Sequence, residues 1–280
     1  MKLFIGPAGN ASGAGAPGAE ASFKYIEGIG LNLQELAFVQ QVYLSPEKAV
    51  QVGEQARKHG VFLSIHAPYF INLCSEEEAK LASSRKRISD SLDRAQRLGA
   101  EGPVVVHPGF YQNRDRRECF DAVVVEAIGL SRAYPKAFLG FETTGKHSAF
   151  GSLEEVLGVC KAAKRGNVVP VVDFAHLYAR NMGEIDFGVV LDRVLEYGHR
   201  ELHCHYSGIN YGEKGEKNHL PLSSNRPDYE PLALALKERE NKFGRVSLVS
   251  ESPLQEKDGL VLRALLEQEG LKLAAQPKGF

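Results

Sequence analysis

Three things are scarce in this 280-residue sequence: closely spaced cysteines, long apolar runs and a surplus of either charge. Cys74, Cys119, Cys160 and Cys204 are widely scattered with no Cys-x-x-Cys, which argues against a secreted disulfide framework and a cysteine zinc site and predicts reduced thiols. No apolar stretch approaches the roughly 18–20 residues that cross a bilayer, and the opening Met1 to Gly6 is too short for the core of a secretion signal. A soluble, cytoplasmic protein is expected. With 34 Lys+Arg against 35 Asp+Glu, the charge balance argues against coating nucleic acid through bulk positive charge, while leaving a local basic patch open. A composition of 43% hydrophobic and 25% charged residues excludes disordered and fibrous classes.

What is present is an alternation. Eight short, apolar, β-branched runs, at residues 2–6, 36–42, 61–66, 104–107, 138–142, 168–173, 201–206 and 246–251, are separated by segments with apolar residues at i, i+3, i+4 spacing. Those segments lie near residues 20–28, 45–59, 76–98, 114–132, 153–164, 186–196, 230–240 and 255–268. Ser45-Pro46 and Ser152-Leu153-Glu154-Glu155 read as helix starts, and Gly60, Gly99 and Gly198 each follow a helix and precede a strand. Strict alternation implies parallel strands with right-handed crossovers. Eight such units in this length predict an α/β fold, a (β/α)8 TIM barrel spanning residues 1–280 as a single domain. The Gly- and Ala-rich stretch 6–18 reads either as a flexible surface loop or as a loop that lets a ligand approach the backbone.

Barrel active sites sit at the C-terminal strand ends. Here six successive strands end in His66, His107, Glu142, Asp173, His205 and Glu251. Singly, each is an ordinary hydrogen-bonding residue; together, carboxylates on one rim repel one another unless a cation neutralises them. Imidazoles and carboxylates without thiolates suit Zn2+, Mn2+ or Fe2+. His176, three residues past Asp173, and His219, after strand seven, extend the set, which favours at least two ions sharing a carboxylate. His203 lies two residues below His205 on the same face; His205 is preferred because it is nearer the rim. His59, His147 and His199 are expected to face solvent, and Cys204 to be buried between barrel and helices.

The segments His66-Ala67-Pro68-Tyr69-Phe70-Ile71-Asn72-Leu73, Val105-Val106-His107-Pro108-Gly109, Phe141-Glu142-Thr143-Thr144-Gly145, Asp173-Phe174-Ala175-His176, His205-Tyr206-Ser207-Gly208 and Glu251-Ser252-Pro253 resemble, in order and spacing, the motifs of endonuclease IV. That family comprises zinc-dependent endonucleases of abasic sites with a barrel fold. The resemblance implies that Glu142 bridges two ions, with His66 and His107 completing one site and Asp173, His205 and Glu251 the other. It implies a third ion at His176 and His219, where the family's aspartate is replaced by Lys217, so that the ion would be held by fewer protein ligands, by Glu213 or Glu216 instead, or not at all. It also implies cleavage of the phosphodiester 5′ to an abasic site in duplex DNA, leaving 3′-hydroxyl and 5′-deoxyribose phosphate ends.

Tyr69 and Phe70 match positions that the family inserts at the lesion. Tyr43 could act as a wedge where the family's arginine is missing, and Lys146, Arg180, Lys214, Lys217 and Arg226 are candidate phosphate contacts. The runs Arg85-Lys86-Arg87 and Arg114 to Arg117 read as solvated faces. A monomer is expected, because a DNA groove needs the rim free. Two other readings stay open: a xylose-isomerase-like sugar isomerase or epimerase using one or two divalent ions, and a barrel that binds nucleic acid or metal without turnover. Bound divalent ions would also change the charge balance, two of them turning −1 into +3 at the rim.

Overall fold

In the computed structural model, which describes residues 1–275, eight parallel strands form one nearly closed barrel. They are β1 (Lys2–Pro7), β2 (Leu33–Ala37), β3 (Phe62–His66), β4 (Pro103–Val106), β5 (Phe138–Glu142), β6 (Val168–Asp173), β7 (Glu201–Tyr206) and β8 (Arg245–Ser250). The helices are α1 (Ala19–Gly28), α2 (Pro46–Lys58), α3 (Glu78–Leu98), α4 (Arg116–Ala133), α5 (Leu153–Ala163), α6 (Phe174–Arg180), α7 (Phe187–Glu196), α8 (Glu230–Glu238) and α9 (Glu256–Gln268). Two short antiparallel hairpins, Gly109–Phe110 with Ala149–Phe150 and Gly208–Gly212 with Gly215–Leu220, stand among the loops.

Local signals account for many boundaries. Ser45 caps α2 before Pro46, and Ser152 with Glu155 forms a reciprocal capping box on α5. Gly99 ends α3 in the left-handed conformation. Along the strands, outward residues such as Ile5, Leu36, Ile65, Val106, Phe141 and Cys204 join the core between barrel and helices. Inward residues form a separate, smaller cluster in which Phe4 stacks on Phe62 at 4.7 Å beside Leu33 and Val249.

Three expectations need correction. The second strand covers Leu33–Ala37 rather than 36–42, so three residues before the expected start are inside the sheet. The stretch 6–18 is tied down: Glu256 accepts from the Ser12 and Gly13 amides and the Ser12 hydroxyl, Ala11 N–H donates to Ser22, and Gln34 joins Ser22 to Asn10. His59 is half-buried against Glu27 at 2.8 Å rather than facing solvent, while His147 is exposed.

Closure between β1 and β2 combines a few backbone bonds, Gly9 N–H to Glu35 O at 2.8 Å and Asn32 N–H to Ile5 O at 3.2 Å, with a side chain. Asn32 Oδ1 accepts the Ile5 amide at 2.9 Å, and its Nδ2 donates to Leu3 O at 3.2 Å and Ala274 O at 2.9 Å. Above this point the chains come so close that a Cβ on Gly6 would lie 1.6 Å from Leu33 O. Replacing Asn32 by Ala leaves the Ile5 N–H buried and unpaired, which costs about 1–3 kcal/mol. Urea unfolding of Asn32→Ala should show a loss of that size with an unchanged m-value; an unchanged midpoint would mean that the seam closes without it.

Candidate metal centre

Because the strands are parallel, their C-terminal ends share one rim. His66, Glu142 and Asp173 end β3, β5 and β6, His107 and Glu251 follow β4 and β8 directly, and His205 is the penultimate residue of β7. Glu142 sits among them, wholly buried. Its Oε2 is 3.3 Å from His66 Nε2 and 2.8 Å from His107 Nε2, and its Oε1 is 3.1 Å from His205 Nδ1 and 3.3 Å from His176 Nδ1. One carboxylate therefore faces four imidazoles, two at each oxygen, with His205 Nδ1 hydrogen-bonded to Oε1.

Asp173 is both a rim residue and a helix cap. Its Oδ1 accepts the His176 amide at 2.6 Å, so the Asp-x-x-His spacing starts α6 and brings His176 over the same rim. The His176 Nδ1–H donates to Thr143 O at 3.0 Å, leaving Nε2 as its ligand atom. His205 Nδ1 also lies 3.5 Å from Glu251 Oε1, whereas His203 sits beneath it, bonded to Ser247 and Glu35. The structure thus places His205, and not His203, beside Glu142 and Glu251.

Among the described residues, His66 Nε2, Glu142 Oε2 and Asp173 Oδ2 are buried without a hydrogen-bond partner. Facing nitrogen and oxygen atoms 2.8 to 3.5 Å apart but not hydrogen-bonded match ligands held roughly 2.0–2.2 Å from a shared ion. The residues present therefore fit divalent cations. His66, His107 and Glu142 form one possible ligand group, Glu142, Asp173, His176 and Glu251 a second, and His176, His219 and Glu251 a third.

The electrostatics point the same way. Burial is the largest influence on Glu142 and raises its pKa, but His107 and His205 outweigh it and hold the carboxyl well below its usual range. Glu251 is likewise lowered against burial, by His205 and His219. Asp173 moves up, through burial and the charges of Glu251 and Glu142, against the pull of His176. Carboxylates this crowded cannot all ionise comfortably without a cation.

The third group differs from the expected pattern in an instructive way. In the hairpin after β7, Ile209 pairs with His219 and Asn210 with Asn218, but Tyr211 pairs with Glu216, which leaves Lys217 as the bulged residue. A bulge resets side-chain alternation. Lys217 is exposed, while Glu216 places Oε2 3.2 Å from His176 Nε2 and accepts the Gly145 amide at 2.9 Å. Glu216 thus brings a carboxylate to His176, while Lys217 points to solvent. His219 is held by Ser207 Oγ at 2.6 Å and reaches Glu251 at 3.7 Å.

The expected DNA-contact residues separate. Phe70 is 66% exposed at the rim. Tyr69 instead leans over the ligands, its ring 5.4 Å from that of His66 and 6.4 Å from that of His107. Tyr43 is exposed and packs edge-on against Phe38. Arg180 is not available for phosphate: it is 6% exposed, and its Nη1 donates to the carbonyls of Thr144, Lys146 and Ala149. Arg85, Lys86 and Arg117 pair with Glu126, Asp90 and Asp121 on helical faces. Sequence reasoning missed Glu35, a fully buried carboxylate inside the barrel 3.0 Å from His205 Nε2. Its signal was a lone acid at an inward position of an apolar run, hidden by starting that strand at residue 36.

A rim lined with possible metal ligands on an eight-stranded barrel defines a class, and the xylose isomerase-like TIM barrel family model matches residues 18–273; the chain belongs to that family of metal-using enzymes. Among curated relatives, an uncharacterised protein of Methanocaldococcus jannaschii is 32% identical over 270 residues, 89% of this chain and 93% of the relative. A probable endonuclease 4 of Thermoplasma acidophilum is 26% identical over 166 residues, 55% of this chain and 57% of that protein. Of solved structures, a D-tagatose 3-epimerase-like protein superimposes with a TM-score of 0.71 at 20% identity, covering 96% of this chain and 97% of the other. SacUVDE does so with a TM-score of 0.66 at 13% identity, covering 96% and 99%. At these identities the structural likeness is one of fold.

Two measurements probe the centre. Burial lowers the His66 pKa, but Glu142, Glu35 and Glu251 outweigh it and push it up to about 9, so the metal-free protein carries an imidazolium there at neutral pH. Metal binding must displace that proton. Zinc affinity should therefore rise as pH increases from 6 towards 9, with net proton release in calorimetry across buffers of different ionisation enthalpy. Separately, Glu216→Gln should lower the number of bound ions by one while Lys217→Ala leaves it unchanged, as read by elemental analysis; the reverse pattern would return the third site to the neighbourhood of Lys217.

Proposed function

We propose that the protein is a divalent-metal phosphodiesterase of the endonuclease IV type, cutting duplex DNA 5′ to abasic sites with zinc as the working ion. The observation that carries this reading is the set of three ligand groups that share Glu142, His176 and Glu251. A single ion needs only the Glu142, Asp173, His176 and Glu251 group. His66 and His107 on one side, and His176, His219 and Glu216 on the other, supply donors for further ions, and a phosphodiester with charged oxygens in several directions is the substrate such an array suits.

When divalent ions are bound, the chemistry they supply is Lewis acidity, which neutralises phosphate charge and makes hydroxide available near neutral pH. The side chains do the rest. Glu142 fixes the spacing of the two imidazole pairs, and Thr143 holds Asp173 by accepting its amide at 2.9 Å. Tyr69 roofs His66 and His107 and limits water there. On either side of Tyr69, His219 and Glu251 lie two open clefts of about 350 and 540 Å3. One runs past Phe110 and Lys146, the other past Asn10, Tyr43 and Gln255. A trough open in two directions suits a chain that continues on both sides of the scissile bond. Phe70, the most exposed aromatic at the rim, is the side chain that would fill the space left by an extruded abasic sugar.

The test is nicking of a duplex carrying one synthetic abasic site, with and without chelator. Chelator-sensitive cleavage is expected, with Glu142→Gln losing roughly 10²–10³-fold in rate, on the order of 3–4 kcal/mol of barrier, together with bound metal. Phe70→Ala should weaken binding to the lesion while metal content stays intact; it is a cleaner probe than Tyr69→Ala, since Tyr69 also touches the ligand rings. Epimerisation of a ketohexose without nicking, or tight DNA binding without chelator-sensitive cleavage, overturns the proposal.

A further inference from the structure

The interior of a TIM barrel is ordinarily filled by branched apolar side chains. Beneath this rim, however, Glu35, Ser64, His203 and Ser247 are all buried together. The geometry points to Glu35 as a positioning residue for the metal centre: an anchored anion that takes the Nε2 proton of His205 and thereby presents the Nδ1 lone pair of His205 to the rim. This rests on the metal centre of the proposed function, not on its substrate.

The network fixes which atoms are free. Glu35 Oε2 accepts from Ser64 Oγ at 2.8 Å and from His203 Nε2 at 3.0 Å, and His203 Nδ1 meets Ser247 Oγ at 2.7 Å. That oxygen is satisfied and the carboxylate cannot rotate without breaking both bonds. Its other oxygen, Oε1, lies 3.0 Å from His205 Nε2, and both atoms are buried with no in-line hydrogen bond among the described residues. On the far side of the same ring, Nδ1 donates to Glu142 Oε1 at 3.1 Å and lies 3.5 Å from Glu251 Oε1, and an ion held there would take the place of that Nδ1 proton. A fully buried carboxylate oxygen needs a donor, and an imidazole ligated at Nδ1 can provide one only by keeping its proton at Nε2.

A second ion between Glu35, His203 and His205 is the competing arrangement, since those three could form a ligand group. It is disfavoured because His203 Nε2 and Glu35 Oε2 are already committed to each other. Only two free atoms remain, where zinc requires three or four protein ligands. One proton satisfies both.

The experiment uses the full chain. Zinc affinity is measured by chelator competition for wild type, Glu35→Gln and Glu35→Asp, each checked for folding by circular dichroism and thermal unfolding. Histidine-labelled, zinc-loaded protein is examined by long-range proton–nitrogen NMR, with His205 assigned by its loss in His205→Asn. Wild type should show His205 protonated at Nε2 and metal-bound at Nδ1. Glu35→Gln, which removes only the charge, should weaken one ion by about 10–100-fold, leave the others unchanged and shift the His205 Nε2–H signal upfield. Glu35→Asp should recover part of the affinity. A folded Glu35→Gln protein with wild-type affinity and signal overturns the inference, as does an anomalous-scattering peak between Glu35 and His203. Should Glu35→Gln fail to fold, an Nε2 without a proton in the zinc-loaded wild type overturns it equally. A wild-type chain that binds zinc but nicks nothing sinks the endonuclease reading alone; one that binds no divalent ion overturns both.

Discussion

The burial of Glu142 between facing imidazoles is the constraint around which the rim is organised. A carboxylate with no solvent exposure is unfavourable unless its charge is answered at close range. Strands β3, β4 and β7 and helix α6 each bring one histidine to it, and every one of those elements must stop or turn at the right level. The bulged hairpin after β7 is then docked from outside: a Cβ on Gly145 would collide with Glu216 Oε2, at 2.2 Å, and a Cβ on Gly215 would collide with the Gly145 carbonyl oxygen, at 2.1 Å. Here glycine serves close approach rather than flexibility.

Much of the fold and rim was legible because both rest on short-range patterns. Alternation of strand and helix with capping and stop signals gives the barrel, and a polar residue ending an apolar run marks the rim. Asp173 and His176 were readable as a pair because capping geometry is local. The remainder was hidden because it depends on register. Glu35 needs the inward phase of β2, which a strand beginning three residues late obscures. Glu216 was one of two carboxylates that could replace the missing aspartate, and choosing it needed the bulge at Lys217, which alternation alone does not give. Arg180 looked like a phosphate ligand in a loop, but the chain continues as helix past Asp173 and turns its guanidinium onto backbone carbonyls.

The centre has two layers with different duties. The upper layer, from His66 round to Glu251, is open to the trough and is the part that meets substrate. The lower layer, of Glu35, Ser64, His203 and Ser247, is sealed, and its hydrogen bonds are arranged so that only one oxygen is left over. Such a polar floor replaces apolar packing that would contribute more to stability, and the energy forgone is offset by a fixed orientation of the ring above it. Barrels that share the fold at low identity have the same opportunity at β2 and β7 whatever they act on.

The seam between β1 and β2 ties distant parts of the chain to this centre. Asn32 bonds at once to the Leu3 carbonyl and to the Ala274 carbonyl, 242 positions away from it. Contacts of such wide sequence separation carry a loop-closure cost and slow folding. Glu35 rides on β2 three residues beyond Asn32, so whatever loosens the seam also loosens the strand that carries the sealed carboxylate beneath the rim.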